Sequence, residues 1–214
     1  MVERTPEIKQ VTIDFYNRFC YQYWERHPNA PVKSMEKFAK MLRGPNILDL
    51  GCGGGHSAVF KMMGIKLGLG MHLNPIAADI SPIMCLAAKQ KGGLPAVVMD
   101  QENLCFKPNS FDGAWLSKSL LHSPSEVVPG ILADLRLILK PRGVLFLGMQ
   151  ASIGQYIETE LKTTEIGTRY YCYWPTYRLH GLLETLGFAV EELSIHGKDS
   201  LNKRNYFEIF AVKE

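Results

Sequence analysis

A glycine-rich run at residues 47–55 has the composition of a ligand-binding turn. Its sequence is Ile-Leu-Asp-Leu-Gly-Cys-Gly-Gly-Gly. Because glycine has no Cβ atom, Gly51 and Gly53 permit positive φ angles and let a ligand approach the backbone closely. A helix that begins just after them would offer unpaired N–H groups to the same ligand. The alternative is a tight connection between a strand and a helix that binds nothing.

The residues that flank the glycines restrict the kind of ligand. The dinucleotide-binding pattern Gly-x-Gly-x-x-Gly requires a third glycine at position 56, and His56 stands there instead. Asp49 lies two residues before the first glycine. A carboxylate at that place suits a cationic amino-acid group better than a pyrophosphate. A nicotinamide oxidoreductase is therefore disfavoured, although it stays open as an alternative.

Two further aspartates end the next two apolar stretches. Asp79 lies in the stretch 76–80, and Asp100 follows the stretch 96–99. In a doubly wound sheet, ligands bind outside the carboxyl ends of the strands. A lone acidic residue at a strand end is usually a helix cap or part of a solvated loop. The spacing of Asp49, Asp79 and Asp100 instead favours one shared binding site.

The elements that position these residues alternate along the chain. Apolar residues at helical spacing predict an N-terminal helix over 6–27, and a second helix is expected over 34–42. Five short strands then alternate with helices up to residue 149. This order predicts right-handed crossovers and a mostly parallel sheet with helices on both faces. Two final strands, about 189–195 and 206–213, predict a C-terminal antiparallel hairpin. The expected class is α/β, with one doubly wound, seven-stranded sheet.

Composition excludes several other classes of protein. The 24 basic and 21 acidic residues give a net charge of +3, too balanced to predict binding to nucleic acid. None of the five cysteines forms a Cys-x-x-Cys pair, so we expect reduced thiols and no zinc site. No apolar stretch is long enough for a transmembrane helix, and the N-terminus has no apolar signal segment. We therefore expect a soluble, cytoplasmic protein of undetermined oligomeric state.

Taken together, the motifs resemble those of the class I S-adenosylmethionine-dependent methyltransferases, especially the small-molecule "type 11" group. The resemblance covers nearly the whole chain. The segments that resemble the five family motifs in order are 47–55, 78–84, 100–106 with 109–112, and 137–145. An N-terminal helix carrying Tyr16, Asn17, Cys20 and Tyr23 resembles one that often closes over the cofactor.

The resemblance implies S-adenosylmethionine as cofactor, S-adenosylhomocysteine as product, and a role for each matching residue. Asp79 would accept hydrogen bonds from the ribose hydroxyls, and Asp100 from the adenine amino group, with the Gln101 backbone N–H at the ring edge. The methionine portion would lie against Asp49, Gly51 and Gly53, and the sulfonium beside Ser117 and Lys118. Further implied cofactor contacts are Tyr23, Cys52 and Ile80.

The resemblance also implies an organisation as a single domain, 1–214, which suits the length of the chain. Its parts would be an N-terminal helical cap (1–43), a cofactor-binding core (44–150), a substrate lid (151–180), and the end of a helix with the hairpin (181–214). Two departures from the family pattern stand out. The connection 61–74 is longer than usual, and Arg142 stands where the family often has glycine.

Methyl transfer needs no protein nucleophile, because the sulfonium is already activated. Catalysis would come from holding the acceptor in line and excluding water, with a base where the acceptor loses a proton. His122 is the candidate base, and a packing or loop histidine is the alternative. Hydrolase motifs are absent from the sequence. Residues 117–120 replace the Asn/Asp-Pro-Pro-Tyr/Phe motif, which argues against base amino groups and glutamine amides as acceptors.

The acceptor is expected to be a small molecule, without nucleic acid or membrane as a partner. Aromatic residues between 151 and 180 would either bind a ring or a cation, or pack the lid: Tyr156, Tyr170, Tyr171, Tyr173, Trp174 and Tyr177. The second hypothesis for function is a non-catalytic S-adenosylmethionine-binding or scaffold protein that retains the fold.

Overall fold

The main sheet has the seven strands and the mixed direction that the sequence predicts. The computed structural model describes residues 5–26, 30–198 and 204–214. The strands are β1 (Asn46–Leu50), β2 (Asn74–Asp79), β3 (Ala96–Val98), β4 (Phe111–Ser117), β5 (Leu139–Gln150), β6 (Glu158–Thr164), β7 (Gly167–Tyr173), β8 (Phe188–Lys198) and β9 (Asn205–Lys213). Their order in the main sheet is β3-β2-β1-β4-β5-β9-β8. Strand β9 runs antiparallel to β5 and β8, while the pairs from β3 to β5 are parallel.

Helices cover both faces of this sheet. They are α1 (Thr5–Arg26), α2 (Val32–Met41), α3 (Phe60–Lys66), α4 (Pro82–Gly92), α5 (Val128–Ile138) and α6 (Thr176–Thr185), with short 3-10 turns at His56–Val59 and Leu120–His122. Helices α5 and α6 bury leucines such as Leu135 and Leu179 in one core with Leu145 of β5. Helices α2 and α3 bury Phe38 and Phe60 in a second core. The doubly wound α/β architecture is therefore confirmed.

The central strands are apolar on both faces because both faces are covered. In β1, Ile47 belongs to the core under α2 and α3, while Leu48 and Leu50 belong to the core under α5. All three side chains are almost fully buried. Such continuous burial explains why these strands are short runs of apolar residues without polar alternation. The buried strand ends at Leu50, and the glycine turn begins at the next residue.

The sequence did not predict the hairpin of β6 and β7. Strand β6 is polar and mostly exposed, and it pairs only with β7 in a separate two-stranded sheet. A strand with no buried face lacks the alternation of apolar and polar residues that identifies strands in a sequence. Tyr170, Tyr171, Tyr173 and Trp174 are buried, while Tyr156 is 74% exposed. The burial of these four favours the packing alternative.

The two N-terminal helices have different positions. Helix α1 packs against β7 and α4, and its inner face closes over the carboxyl edge of the sheet. Helix α2 instead buries Met35, Phe38 and Ala39 under the sheet. The ligand-binding edge is therefore capped by α1, which packs against β7 of the β6–β7 hairpin. None of the helices in the described ranges combines the length and the apolarity needed to span a bilayer.

The two departures from the family pattern, the long connection 61–74 and Arg142, each have a simple local structure. Gly68 and Gly70 adopt positive φ angles in the connection between α3 and β2, so the extra residues form a glycine turn. Arg142, which stands where glycine is usual, has a φ of 64°. Its side chain is exposed, and β5 continues through this position.

Candidate functional site

A cleft of about 760 Å³, part of it open to solvent, lies at the carboxyl edge of the sheet. Parallel strands bring their carboxyl ends to the same edge, so β1, β2 and β4 all lead into this cleft. Most of the residues expected from the sequence line it: Gly51, Gly53, Asp79, Ile80, Asp100, Gln101, Ser117, Lys118 and His122.

The glycine turn is bent sharply at the floor of the cleft. Gly51, Gly53 and Gly55 have φ angles of 74°, 51° and 89°, which favour glycine. The N–H of Gly51 donates to the carbonyl of Ala78 at 2.8 Å, and this bond ties the turn to β2. A Cβ atom on Gly51 would lie 2.2 Å from Cβ of Ser119. The close approach of the turn to the loop after β4 therefore requires glycine at this position.

Asp79 ends β2 and is held by backbone donors on both oxygens. The N–H of Gly53 donates to Oδ2 at 2.9 Å, and the N–H of Ser81 donates to Oδ1 at 2.9 Å. Burial raises the pKa of Asp79 to about 6, while these backbone hydrogen bonds oppose the shift. Each carboxylate oxygen has a second lone pair. Asp79 can therefore still accept hydrogen bonds from a ligand with neighbouring hydroxyl groups.

Asp100 lies at the far end of the cleft, next to a lysine from α1. The ammonium of Lys9 is 2.8 Å from Asp100 Oδ2 and 2.8 Å from Glu102 Oε2. The N–H of Glu102 donates to Asp100 Oδ1 at 3.0 Å. Although burial alone would lower it, the pKa of Lys9 is raised by these two carboxylates. This ion pair connects α1 to the loop after β3.

Two residues that line the cleft have polar atoms without a hydrogen-bond partner among the described residues. The amide nitrogen of Gln101 donates to Ser123 Oγ at 2.6 Å, but its buried Oε1 accepts no hydrogen bond from that part of the chain. The buried hydroxyl of Ser119 has no partner there either. Buried polar atoms are normally satisfied. With the two carboxylates, these atoms make a donor and acceptor set that fits a polar organic ligand.

Three of the expected cofactor residues do not line the cleft or are not described. Asp49 is 4% exposed, and burial raises its pKa to about 7, with the nearby Asp79 adding to the shift. Cys52 is buried against Ala77 and Ala88 beneath the turn. Tyr23 belongs to α1, but its side chain lies outside the described part of the chain. Asp49 and Cys52 therefore support the turn from below.

The loop after β4 forms the wall opposite Asp79. Ser117 ends the strand near the hydroxyl of Tyr206. Lys118 adopts a φ of 58°, and its N–H donates to Gly148 O at 2.7 Å. This backbone conformation turns the chain back over the edge of the sheet, so Ser119 and His122 also reach the cleft.

His122 is fixed by two hydrogen bonds. Its Nε2 lies 2.8 Å from the hydroxyl of Tyr16, and its Nδ1 lies 2.7 Å from the carbonyl oxygen of Tyr170. Burial lowers its pKa to about 4, and the charge of Arg169 adds to the shift. The imidazole is therefore neutral at physiological pH.

Sequence reasoning missed several residues that line the cleft. Lys9 and Thr12 come from α1, on the same face as Tyr16, which the family resemblance had already indicated. Their spacing of three and four residues places them on one side of a helix. A polar stripe within an apolar helix was the available signal. The remaining missed residues are Leu50, Met99, Glu102, Ser119 and Ser123. In the described ranges, His, Cys, Asp and Glu form no cluster that could hold a metal ion.

Comparison with known proteins agrees with this geometry. Residues 48–147 match the family described as Methyltransferase domain. Residues 48–147 thus resemble a methyltransferase domain, and the chain has the fold of the class I S-adenosylmethionine-dependent methyltransferases. This match begins inside β1 and ends inside β5, so it includes the glycine turn, Asp79, Asp100 and His122. No curated protein matches the sequence.

Solved structures with the same fold extend the similarity beyond the matched residues. The 1,6-didemethyltoxoflavin-N1-methyltransferase of Burkholderia thailandensis, solved with 1,6-didemethyltoxoflavin and S-adenosylhomocysteine, is 19% identical, with a TM-score of 0.67 over 100% of this chain and 92% of that one. An S-adenosylmethionine-dependent methyltransferase of Methanosarcina mazei is 18% identical, with a TM-score of 0.66 over 86% and 98%. The 4+2 cyclase SpnF is 18% identical, with a TM-score of 0.61 over 85% and 80%. These similarities establish the fold of the methyltransferase domain.

Proposed function

We propose that this chain binds S-adenosylmethionine in the cleft and transfers its methyl group to a small molecule. One observation carries the proposal. Asp79 ends β2, Asp100 lies two residues after the adjacent parallel strand β3, and both line the cleft with the glycine turn. Carboxylates at these two places suit a ligand that has a vicinal diol at one end and an amino-substituted ring at the other.

The residues that would hold the cofactor follow from this arrangement. Asp79 binds the ribose hydroxyls, and Asp100 with the Gln101 backbone binds the adenine ring. Ile80 contributes apolar surface beside them. The methionine portion lies against Gly51 and Gly53, with Ser117 and Lys118 opposite. Asp49 and Cys52 act from beneath the turn, and Asp49 favours a cationic ligand when it is ionised.

When bound, S-adenosylmethionine supplies a methyl group that is already activated by the positive charge on sulfur. The protein therefore has to hold the acceptor in line with that group and keep water away. Helix α1 covers the cleft through Lys9, Thr12 and Tyr16. Strand β7 packs against both α1 and the turn at Leu120–His122. This cover fits a reaction that needs an enclosed site.

A small-molecule acceptor agrees with what one solved structure of the same fold contains. The Burkholderia thailandensis enzyme, which has the same fold, was solved with the small molecule 1,6-didemethyltoxoflavin bound. The cyclase SpnF has this fold as well, so the fold by itself does not define the reaction. The cleft residues favour methyl transfer, and measurement of turnover tests it.

Calorimetric titration with S-adenosylhomocysteine and with NAD tests the proposal first. We expect binding of S-adenosylhomocysteine alone, and binding of NAD alone would refute the proposal. Transfer of a labelled methyl group to a panel of small molecules then separates an enzyme from a scaffold. A protein that binds S-adenosylhomocysteine but modifies none of the panel would support the non-catalytic alternative.

A further inference from the structure

A tyrosine and a histidine in the wall of the cleft are joined by a hydrogen bond that ties α1 to the loop after β4. The hydroxyl of Tyr16 lies 2.8 Å from Nε2 of His122, and the two rings meet edge to face, with centroids 5.4 Å apart. Both residues line the cleft. They come from positions 106 residues apart in the chain. The contact exists only because α1 closes over the sheet.

The direction of this hydrogen bond follows from the other side of the imidazole ring. Nδ1 of His122 is 2.7 Å from the carbonyl oxygen of Tyr170. A carbonyl oxygen only accepts, so Nδ1 carries the hydrogen. The neutral ring then has its lone pair on Nε2, and the Tyr16 hydroxyl must donate to it. The Tyr16 proton is thus already directed at a base.

The positively charged side chain of Arg169 lies near Tyr16. The guanidinium of Arg169 stacks over Phe15, with its carbon 4.1 Å from the ring centroid, and lies 5.3 Å from the ring centroid of Tyr171. Burial raises the pKa of Tyr16, and the nearby positive charge of Arg169 opposes that rise. Arg169 itself does not line the cleft, so its effect on a ligand would be indirect.

From this arrangement we infer that Tyr16 and His122 form a proton relay for the methyl acceptor. The inference rests on the proposed function. It specifies the acceptor class as a molecule that loses a proton on methylation, such as a hydroxyl compound or a ring N–H compound. Tertiary amines and thioethers, which have no such proton, are excluded.

The methyl-transfer step conserves protons, electrons and charge. The O–H or N–H bond of the acceptor breaks, and its proton moves to the Tyr16 oxygen. At the same time the Tyr16 proton moves to Nε2 of His122, which becomes an imidazolium. The electron pair left on the acceptor forms the bond to the methyl carbon, and the pair of the broken C–S bond stays on sulfur. The positive charge lost from sulfur is thus matched by the charge gained on His122.

A purely structural clamp between α1 and the loop after β4 would contain the same hydrogen bonds. The two roles differ in what Tyr16→Phe changes. If the contact is a clamp, the variant weakens cofactor binding and leaves the chemistry of bound acceptor intact. If it is a relay, the variant retains affinity for S-adenosylhomocysteine and loses turnover by about 100-fold or more. Tyr177→Phe is the matched control, because this exposed hydroxyl also donates a hydrogen bond, to the carbonyl oxygen of Gln155, and does not line the cleft.

Nitrogen-15 NMR of histidine-labelled protein without cofactor tests the geometry independently of activity. We expect a protonated Nδ1 and an unprotonated, hydrogen-bonded Nε2 for His122, with the Nε2 resonance shifting in Tyr16→Phe and unchanged in Tyr177→Phe. A proton on Nε2 would overturn the relay.

Activity is then measured with a labelled methyl donor and a panel that pairs phenols and N–H heterocycles with their fully methylated counterparts and with tertiary amines. Turnover confined to proton-bearing acceptors, and lost in Tyr16→Phe with unchanged S-adenosylhomocysteine affinity, supports the relay. Turnover of proton-free acceptors, or a Tyr16→Phe rate within about threefold of the unmodified protein, overturns it. Absence of S-adenosylhomocysteine binding in the unmodified protein would instead refute the proposed function itself.

Discussion

The backbone N–H of Gly53 donates to the Oδ2 atom of Asp79 at 2.9 Å, so the glycine turn after β1 and the carboxylate that ends β2 form one unit. The carboxylate therefore has two tasks. It holds the turn in place, and it presents its remaining lone pairs to the cleft. The first two predictions concern the two halves of this unit.

Replacing Asp79 with asparagine should weaken binding of S-adenosylhomocysteine by at least about tenfold. The amide retains the shape of the side chain, but its NH₂ group would face a backbone N–H donor, with which it cannot form a hydrogen bond. The NH₂ group also cannot accept a hydrogen bond from a ribose hydroxyl. Calorimetry measures the dissociation constant, and circular dichroism checks that the variant is folded. Asp134→Asn on α5, away from the cleft, is the control. An unchanged dissociation constant would remove Asp79 from the cofactor site.

Replacing Gly51 with alanine should destabilise the fold by about 2–4 kcal/mol and abolish cofactor binding. The residue has a φ of 74°, and the added Cβ atom would lie 2.2 Å from that of Ser119. Left-handed backbone and overpacking each cost about 1–2 kcal/mol or more. Urea unfolding gives the change in free energy. Gly130→Ala, where a Cβ atom meets nothing within 4 Å, should be neutral or slightly stabilising. Equal losses in both variants would contradict the steric explanation.

Replacing Lys9 with methionine should weaken S-adenosylhomocysteine binding about threefold to tenfold while changing stability by no more than about 1 kcal/mol. The ammonium joins α1 to Asp100 and Glu102, and its loss leaves two carboxylates unpaired beside the cofactor. Partly exposed ion pairs contribute little to folding, so the effect should appear in binding. Lys40→Met, an exposed residue of α2, is the control for calorimetry. Tighter binding in Lys9→Met would show that Lys9 competes with the cofactor for Asp100.

Acid should destabilise the folded protein through His122. Its pKa falls from 6.5 to about 4 on folding, because burial disfavours the imidazolium. Between these two values the unfolded chain binds the extra proton, so this residue's contribution to stability decreases as the pH falls from 6.5 towards 4. The full difference is up to about 3 kcal/mol.

Comparison with His122→Gln isolates this contribution. Burial raises the pKa values of Asp49 and Asp79 to about 7 and about 6, so their contributions change in the opposite direction over the same range. Those carboxylates are present in both proteins and cancel in the difference. Urea unfolding at about pH 7 and about pH 4.5 should therefore show a smaller acid-induced loss in His122→Gln. Parallel pH profiles for the two proteins would mean that His122 is protonated in the folded state.

Replacing Arg142 with glycine should stabilise the fold by about 0.5–1 kcal/mol. The arginine has a φ of 64°, which is strained for any residue with a Cβ atom. Glycine relieves that strain, although it also increases the entropy of the unfolded chain. Arg142→Ala retains the strain and should give no gain. Thermal unfolding of the two variants distinguishes backbone strain from any effect of the arginine side chain.

Some residues of the site were predictable because their signals are local. Asp79 ends the apolar strand β2 and Asp100 follows the apolar strand β3, and a parallel sheet brings such strand ends together whatever the remaining sequence is. Gly51 and Gly53 have no Cβ atom, so their residue type alone indicates that the turn can adopt positive φ angles. For the same reason the order of strands and helices along the chain was sufficient to indicate the doubly wound sheet and the C-terminal hairpin.

Other features depend on contacts between distant parts of the chain and leave no local signal. Strand β6 is polar on both faces, and it is a strand only because β7 pairs with it. Lys9 reaches Asp100 across 91 positions of sequence. Asp49 has the right place in the motif, but β1 directs its side chain into the protein and away from the cleft lining.

The sequence by itself determined the sheet, the glycine turn and the two carboxylates that define a ligand-binding edge, because these follow from residue type and short-range spacing. Only the tertiary structure decided how that edge is closed. The packing of α1 against β7 determines that α1 covers this edge. The same packing brings Tyr16 within hydrogen-bonding distance of His122. Such packing is the sum of many weak contacts between segments far apart in the chain, and no single residue pattern encodes it.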